Sequence, residues 1–285
     1  MKKVICATVA VLLLAACGGN TRRTDSGNEN NMPEFRIIEN PQVDLSQFRV
    51  DDEGFIVLFD GTSLDGWRGY GRPDIPARWS IDTQVEGGPA LKISGSGLGE
   101  SQDADGGDLI FAHKFGNFEF SVDWKVSRAG NSGIFYLAQE VEARDPQGNW
   151  RLEPIFISAP EAQILDNENH MDALAGANRM SSSLYDMIAA VPQNANPYGH
   201  WNNTTIIVDR GNVLHFQNGE RVVSFNLWTQ RWTDMLNASK FSQEEWPLAF
   251  ELLNNAGGEN RRGYFGLQDH GDDVWFRNIR VRIRD

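Results

Sequence analysis

Cysteine is almost absent from this sequence. The two cysteines, Cys6 and Cys17, lie near the N-terminus, so the rest of the chain has no thiol for a disulfide or a CxxC metal site. Even in a compartment that permits disulfides, stability must therefore come from a hydrophobic core. A chain of 285 residues is long enough to bury one.

Positive charge is also scarce. Lysine and arginine together number 26 against 39 acidic residues, which gives a formal net charge of −13. A chain this acidic repels phosphate backbones, so we expect no nucleic acid partner. Removal of an N-terminal segment that contains Lys2 and Lys3 makes the remaining chain more acidic still.

Long apolar runs are missing except for one, residues 4–16 (VICATVAVLLLAA), which follows Lys2 and Lys3. This run is shorter than the roughly 20 residues of a membrane helix, and its basic start is typical of a secretory signal. Its end, LAAC, resembles the bacterial lipobox, which implies cleavage before Cys17 and acylation of its sulfur. Gly18, where inner-membrane lipoproteins have Asp, favours anchoring to the outer membrane, on its periplasmic or cell-surface side. An ordinary signal peptide with an incidental cysteine is the alternative.

These features divide the chain into three parts. We predict a signal peptide over residues 1–16, an acylated cysteine with a tether over residues 17–52, and one domain over residues 53–285. Residues 18–32 are polar and rich in Gly and Asn, as flexible tethers are. Residues 33–52 are ambiguous, and packing along the domain is the alternative for them.

The domain has the pattern of antiparallel strands. Residues 118–127 (FEFSVDWKVS) alternate apolar and polar side chains, which predicts a strand with one buried face. Residues 204–226 predict three strands, with one turn at residues 209–212 and an Asn-Gly turn at residues 218–219. Residues 274–283 predict a further strand.

One stretch breaks this pattern. Residues 227–241 place Trp228, Trp232, Met235 and Leu236 at helical spacing, which predicts one short helix against the sheets. Many short strands, hairpin turns and a single helix favour an all-β fold, a jelly-roll sandwich of two antiparallel sheets.

The stretch EAQILDNENH (161–170) is unusually polar for a strand of such a sandwich. Strict alternation places Glu161 and Gln163 on one face and Asp166 on the other, so the two acids share a face only if a bulge intervenes. The spacing E-x-Q-x-x-D resembles the E-x-D-x-x-E strand of jelly-roll glucanases, but Gln163 stands in place of the middle acid. An amide cannot act as an acid, which disfavours hydrolysis by two carboxylates.

Three other stretches carry chemistry-bearing side chains. The segment GYFGLQDHG (263–271) sets Tyr264, Gly266, Gln268 and His270 on one face, a pattern that suits sugar binding. Asn131 and Tyr136 in residues 130–139, and Tyr185 and Asp186 in residues 183–188, join the candidates. For each residue the alternative is a local structural role, as a turn residue or a satisfied core side chain.

Several strings together are similar to one family. They are GFIVLFDGTSLDGW (54–67), FEFSVDWKVSRAGNSGIFY (118–136), EAQILDNENHMDA (161–173), LYDMI (184–188), GHWNNTTIIV (199–208) and GLQDHGDDVWFRNIRV (266–281). The resemblance is to the 3-keto-disaccharide hydrolases, also described as 3-keto-glucoside lyases and hydratases. It covers nearly all of residues 54–285, and it implies a concanavalin A-like jelly roll.

The resemblance also implies a chemistry. Oxidation of C3 to a ketone makes the C2 proton acidic, so a base can remove it and the C1 substituent leaves through an enolate. Water then adds to give the free 3-keto sugar, a small carbohydrate product. Such a reaction implies a sugar 3-dehydrogenase that supplies the substrate.

This chemistry assigns provisional roles to the candidate residues. Glu161 or His170 is the expected base, and Asp166 is a further catalytic candidate. The expected substrate-binding residues are Gln163, Asn131 and Gln268, which suit hydroxyls, with Asp186 and Tyr136. Tyr185 or His270 is expected to assist the leaving group, and Arg277 to lie near the oxyanion. No cofactor is certain; a divalent metal on Glu161, Asp166, His170, Asp186 or His270 is the alternative to these donors.

Two other function classes remain open. The domain is alternatively a carbohydrate-binding module or lectin without catalysis, since jelly rolls often bind sugars unchanged. It is also alternatively a conventional glycoside hydrolase, against which Gln163 counts. Four acids and imidazoles, Glu161, Asp166, His170 and His270, exceed what sugar binding alone requires.

Overall fold

The structure, a computed structural model, describes residues 32–99 and 105–284. The predicted signal peptide and Cys17 lie outside the described residues, so cleavage, acylation and outer-membrane anchoring stay predictions. Within the described ranges, no helix is long and apolar enough to cross a membrane.

The described residues form three antiparallel sheets. The large sheet contains, in spatial order, β14 (Glu220–Asn226), β13 (Asn212–Gln217), β12 (Asn202–Asp209), β7 (Phe118–Val126), β16 (Val274–Ile283), β5 (Ala90–Ile93) and β4 (Trp79–Asp82), with β2 (Ile56–Val57) also on β16. The five-stranded sheet contains β11 (Glu161–Leu165), β8 (Asn131–Ala138), β15 (Tyr264–Leu267), β6 (Leu109–Phe111) and β3 (Trp67–Gly69). The small sheet contains β1 (Phe35–Ile38), β9 (Glu140–Arg144) and β10 (Trp150–Leu152).

The two larger sheets form the predicted sandwich. Phe120 and Trp124 on β7 are fully buried, which confirms the predicted alternation. The Asn218-Gly219 turn joins β13 to β14, and both turn residues have positive φ (50° and 82°), as such a tight hairpin requires. Between the sheets, the ring of Phe265 stacks on that of Phe120 at 4.2 Å between centroids.

The helices are more numerous than predicted. The predicted helix is present as α2 (Gln230–Asn237), where Thr229 caps the first turn and Trp232 and Leu236 are buried. The prediction of a single helix was wrong, because α1 (Met171–Ala175) and α3 (Pro247–Asn254) also form. Helix α3 begins with proline and is apolar on most sides, so it lacks the amphipathic period that reveals a surface helix.

The small sheet includes a strand from the predicted tether. Strand β1 lies within residues 17–52 yet pairs with β9 over four residues, so this part of the chain packs on the domain. This packing agrees with the alternative given for residues 33–52, and the boundary at residue 53 stays a prediction. Strand β1 was not predicted from the sequence, because an edge strand of four residues gives little periodicity.

The face of the five-stranded sheet that points away from the sandwich core is called the front face here. It carries Gly133 and Phe135 of β8, the β11 residues paired with them, and Gly266 of β15. One half of this face is filled by an apolar cluster around Phe135, Tyr264 and Ile155. The other half, toward Asn131, carries polar side chains instead.

His215 on β13 ties the core together as a neutral imidazole. Its Nδ1 lies 3.0 Å from the carbonyl of Ser182, and its Nε2 lies 2.9 Å from the hydroxyl of Tyr136. These partners suit a ring whose Nδ1 donates to the carbonyl and whose Nε2 accepts from the hydroxyl. Burial lowers the pKa of His215 to about 4.

This shift predicts acid sensitivity. Below about pH 6.5 the unfolded chain binds a proton at residue 215, whereas the folded chain resists it until about pH 4, so stability falls across that window. We expect His215 to contribute about 3 kcal/mol to this loss. Urea denaturation at several pH values should show a smaller loss in His215→Gln than in the unchanged protein. The exposed His200→Gln is the control, and equal pH dependence in all three proteins would contradict the assignment.

Candidate active site

The pairing of β11 with β8 decides which side chains share the front face. Glu161 lies opposite Phe135, Gln163 opposite Gly133 and Leu165 opposite Asn131, in a continuous register. Because directly opposed residues point to the same side, Glu161 and Gln163 lie on the front face. No bulge interrupts these five pairs, so the alternative that brought Asp166 onto the face of Glu161 is wrong.

Gly133 provides the space in which the carboxylate of Glu161 lies. A Cβ atom at position 133 would lie 2.4 Å from Glu161 Oε1, so any side chain there would displace the acid. The backbone N–H of Gln268 donates to the carbonyl of Gly133 at 3.0 Å, so Gln268 lies across Gly133 from Gln163. We call Gly133, Gln163 and Gln268 the amide floor. Gln163 and Gln268 are 1% and 5% exposed and Glu161 is 7% exposed, so the acid lies in a largely dry setting.

Tyr185 lies beside this acid. Its backbone N–H donates to the carbonyl of Glu161 at 3.1 Å. The cationic groups of Arg179 and Lys240 lie 5.5 and 4.5 Å from the centre of its ring. Burial, and then the charge of Glu161, raise the pKa of the Tyr185 hydroxyl well above its usual value. The hydroxyl therefore keeps its proton at neutral pH and is available as a donor.

Asp186 bonds to the guanidinium of Arg179 and to the backbone of Lys240. Its Oδ1 accepts from Nε and Nη2 of Arg179 at 3.0 and 2.7 Å, and its Oδ2 accepts from the backbone N–H of Lys240 at 2.9 Å. These bonds engage both carboxylate oxygens of Asp186, predicted to bind substrate or metal, in positioning Arg179 and Lys240. The sequence analysis missed both cations, because no spacing links position 240 to position 185.

A second cluster forms where β8, β11 and β15 end. His170, His270 and Asp272 each offer a ligand atom, and these atoms all lie within 4.8 Å of one another. The centres of the two imidazole rings are 6.1 Å apart. We call these three residues the His-Asp cluster. Asp272 was missed from the sequence, although it lies two residues after His270 in the same string.

Hydrogen bonds position two members of the His-Asp cluster. His170 caps α1, because its Nδ1 accepts from the backbone N–H of Asp172 at 3.1 Å, and burial lowers its pKa, so the ring is neutral at pH 7. Asp272 Oδ2 accepts from the backbone N–H of Asn131 at 3.1 Å, while burial raises the pKa of the Asp272 carboxyl. The side-chain Oδ1 of Asn131 is buried and has no hydrogen-bond partner in the described part of the chain.

Asp166 has a structural position that the sequence did not reveal. Its Oδ2 accepts from the backbone N–H of Ala129 at 2.7 Å and from the side-chain amide of Asn169 at 2.8 Å, and its Oδ1 accepts from the N–H of Glu168. The carboxylate thus joins the turn before β8 to the turn after β11. These bonds give Asp166 a role in holding the two loops, and its catalytic or metal-binding role stays a prediction.

Two predicted site residues lie elsewhere. Tyr136 points into the sandwich core, where its hydroxyl meets His215, because it alternates with the front-face residue Phe135. Arg277 lies on the large sheet, paired with Asp123 of β7 and 3.9 Å from the ring centre of Trp201. Both predictions are wrong, since neither side chain shares a face with Glu161. Tyr264, which the sequence grouped with Gln268, is fully buried within the apolar half of the front face.

A polar groove of about 520 Å³ lies next to Arg277 on the large sheet, away from Glu161. Its polar groups are largely bonded to one another. The side-chain amides of Asn203 and Asn278 donate to the two carboxylate oxygens of Asp123, at 2.9 and 2.6 Å. We therefore place the candidate site on the front face, where the acid, tyrosine and imidazoles lie, and not in this groove.

The comparisons with known proteins agree with this fold. A 3-keto-disaccharide hydrolase of Bacteroides thetaiotaomicron is 55% identical over 295 residues, which cover 100% of both chains. The crystal structure of a putative glycosyl hydrolase from Parabacteroides distasonis superposes with a TM-score of 0.63 at 27% identity, over 82% of this chain and 95% of that one. A second structure described in the same words, from the same organism, shares the fold with a TM-score of 0.55 at 20% identity, over 81% and 99% of the two chains. Residues 54–282 match the family described as the 3-keto-alpha-glucoside-1,2-lyase-like domain, and the chain belongs to that family.

Proposed function

We propose that this protein cleaves 3-keto-disaccharides and related 3-keto-glycosides by elimination followed by hydration. The observation that carries the proposal is a buried carboxylate on the front face, Glu161, set on the amide floor beside Tyr185, whose hydroxyl keeps its proton. The full-length relative named 3-keto-disaccharide hydrolase supports the substrate class. The reaction needs a substrate already oxidised at C3, so an enzyme that oxidises a sugar 3-hydroxyl must act before this one.

The proposed reaction proceeds in two stages. A base takes the proton from C2, and the electrons of that bond form an enolate with the C3 oxygen. The enolate collapses to a C1–C2 double bond, the ketone reforms, and the bond from C1 to the aglycone oxygen breaks as that oxygen gains a proton. In the second stage water adds to C1 and a proton returns to C2, which gives the free 3-keto sugar.

Glu161 is the proposed base in this scheme. The residue is 7% exposed on the front face, so bulk water competes little with a bound sugar for its carboxylate. Once protonated, Glu161 can return its proton at C2 during hydration. Tyr185, whose raised pKa keeps its proton in place, is the proposed donor to the departing oxygen.

The surrounding groups are proposed to hold the sugar and its developing charge. Gln163 shares the front face with Glu161 and Gln268 lies across Gly133 from Gln163, where their amides suit the hydroxyls of a pyranose ring. The ammonium of Lys240 lies 4.5 Å from the ring centre of Tyr185 and provides positive potential there, while Arg179 is paired with Asp186. Such potential favours an enolate over the neutral ketone, which is the difference that catalysis requires.

This arrangement disfavours the conventional alternative. Hydrolysis of an unoxidised glycoside needs two carboxyl groups at about 5–5.5 Å or about 6.5–9.5 Å. The next front-face residue along β11 after Glu161 is an amide, Gln163, and Asp166 is engaged by the loop around Ala129. A pure binding module has no need of a buried acid beside a half-buried phenol.

The first experiment compares a nitrophenyl glucoside with its 3-keto counterpart, using the purified protein. We expect release of nitrophenol from the keto compound alone, because only the ketone acidifies the C2 proton. In heavy water the 3-keto sugar formed should carry deuterium at C2, which direct hydrolysis would not introduce. The preformed product, incubated with heat-inactivated protein, corrects for spontaneous exchange. Release from the unoxidised glucoside, or product without deuterium, would contradict the elimination route.

A further inference from the structure

The His-Asp cluster has a composition that the amide floor lacks. It joins two imidazoles and one carboxylate, contributed by the loop after β11 and by the loop between β15 and β16. We propose that His170, His270 and Asp272 bind one divalent transition-metal ion.

The spacing of the cluster suits such an ion. Nitrogen and oxygen ligands lie about 2.0–2.2 Å from zinc, so two of them on one ion are at most about 4.3 Å apart. The ligand atoms here lie within 4.8 Å of one another, so small rotations of the half-buried rings bring them to bonding distance. Two imidazoles with one carboxylate favour zinc, manganese, iron or cobalt over calcium and magnesium, which prefer oxygen ligands alone.

The neighbouring groups support the site. Metal-binding carboxylates are commonly held by a second hydrogen bond, and the backbone N–H of Asn131 holds Oδ2 of Asp272 in this way. Asn131 also carries a buried Oδ1 without a partner among the described residues, an atom of the type that metals accept. Its neighbour in the sheet is Leu165, at the end of the strand that leads to His170.

Binding has one structural consequence at His170. Its Nδ1 accepts the N–H of Asp172, so a neutral ring carries its proton on Nε2. An ion on Nδ1 replaces that hydrogen bond directly. An ion on Nε2 requires the proton to move to Nδ1. The protonated Nδ1 is then a donor that faces the N–H of Asp172, another donor, so the hydrogen bond between them is lost. In both cases the metal releases the Asp172 amide from the cap of the one-turn helix α1.

The role of the ion rests on the proposed function. Three protein ligands leave open positions on the ion, as catalytic metal sites do. The ketone oxygen and an adjacent hydroxyl of a 3-keto sugar would form a chelate at these positions. Gln268, two residues before His270, connects the cluster to the amide floor, so one sugar ring can reach both.

Metal titration of the intact protein tests the site without any substrate. After treatment with a chelator, cobalt is added while visible absorption is followed, and zinc is added in a calorimeter. We expect one ion per chain, and an affinity at least about tenfold lower in His270→Ala and in Asp272→Ala. His200→Ala, which removes an exposed histidine outside the cluster, should bind as the unchanged protein does. Hydrogen exchange at the Asp172 amide should accelerate when metal binds.

Two results would overturn the site: no binding by the unchanged protein at millimolar metal, or full affinity in both variants when circular dichroism shows them folded. Turnover of the 3-keto substrate tests whether the bound ion has a catalytic role, which is a separate question from whether the site binds metal. Activity that a chelator abolishes and cobalt restores supports the role. Activity that a chelator leaves intact, in a protein that binds one ion at the cluster, overturns the catalytic role and leaves the binding site established. The titration decides the site even if no 3-keto substrate is cleaved.

Discussion

Glu161→Gln is expected to lower turnover of a 3-keto-glucoside by roughly 10²–10⁴-fold, the range for loss of a general base. Glutamine keeps the size of the side chain above Gly133 and keeps an oxygen acceptor, but it cannot take the C2 proton. The effect should appear mainly in kcat, because the sugar still meets Gln163 and Gln268. Initial rates with the nitrophenyl 3-keto-glucoside measure both kcat and KM.

Glu161→Gln should change the stability of the fold far less than it changes turnover. Removal of a buried negative charge relieves a desolvation cost, so we expect the free energy of unfolding to fall by no more than about 1 kcal/mol. Glu168→Gln is the matched control, since Glu168 is exposed on the loop that follows β11. A folded Glu161→Gln variant with more than a tenth of the normal kcat would remove Glu161 as the base and leave His170 as the other candidate.

Glu140→Gln is expected to destabilise the fold by about 3–5 kcal/mol, the cost of breaking a buried ion pair from one side. The side chain of Glu140 is fully buried, and its oxygens lie 2.5 and 2.7 Å from Nη1 and Nη2 of Arg68. Asn40 and the backbone N–H of Gly71 donate to the same carboxylate, both at 2.7 Å. Burial alone would raise the pKa of Glu140, but these donors, Arg68 foremost, bring it below the usual value.

The loss arises because the guanidinium of Arg68 then stays buried with no carboxylate beside it. The pair also joins β3 of the five-stranded sheet to β9 of the small sheet, so the cost should appear as weaker attachment of the small sheet. Urea denaturation measures the effect. The control is Glu142→Gln on the same strand, which breaks the more exposed pair with Arg36 and should cost less than about 1 kcal/mol. Equal losses in the two variants would contradict the importance of burial.

The sequence predicted best where one short pattern carries the information. Alternation in residues 118–127 identified β7, and Asn218-Gly219 identified the hairpin between β13 and β14, because both signals depend only on neighbours along the chain. The same alternation correctly separated Glu161 from Asp166. Helix α3 and strand β1 were missed, since a buried helix and a short edge strand carry no period of their own.

The candidate site was predicted in part, and the errors have one cause. Tyr136 and Arg277 were assigned by residue type, but the side of a sheet on which a residue lies depends on strand pairing. Tyr136 sits one residue from Phe135 and so faces the core, and Arg277 belongs to a strand of the other sheet. Lys240 was missed because folding brings it to the site from a distant part of the chain, and Asp272 because its approach to His170 depends on the path of a loop.

By itself, the sequence determined the all-β class of the domain, most strands of the large sheet, and the common face of Glu161 and Gln163. These properties follow from local periodicity and turn chemistry, which act over a few residues. Only the tertiary structure decided that Glu161 lies above Gly133 next to Tyr185, that Asp186 positions Arg179 and Lys240, and that His170 meets His270 and Asp272. Such contacts between distant residues depend on sheet order and loop paths. Both are set by the burial of the whole core and not by any one segment.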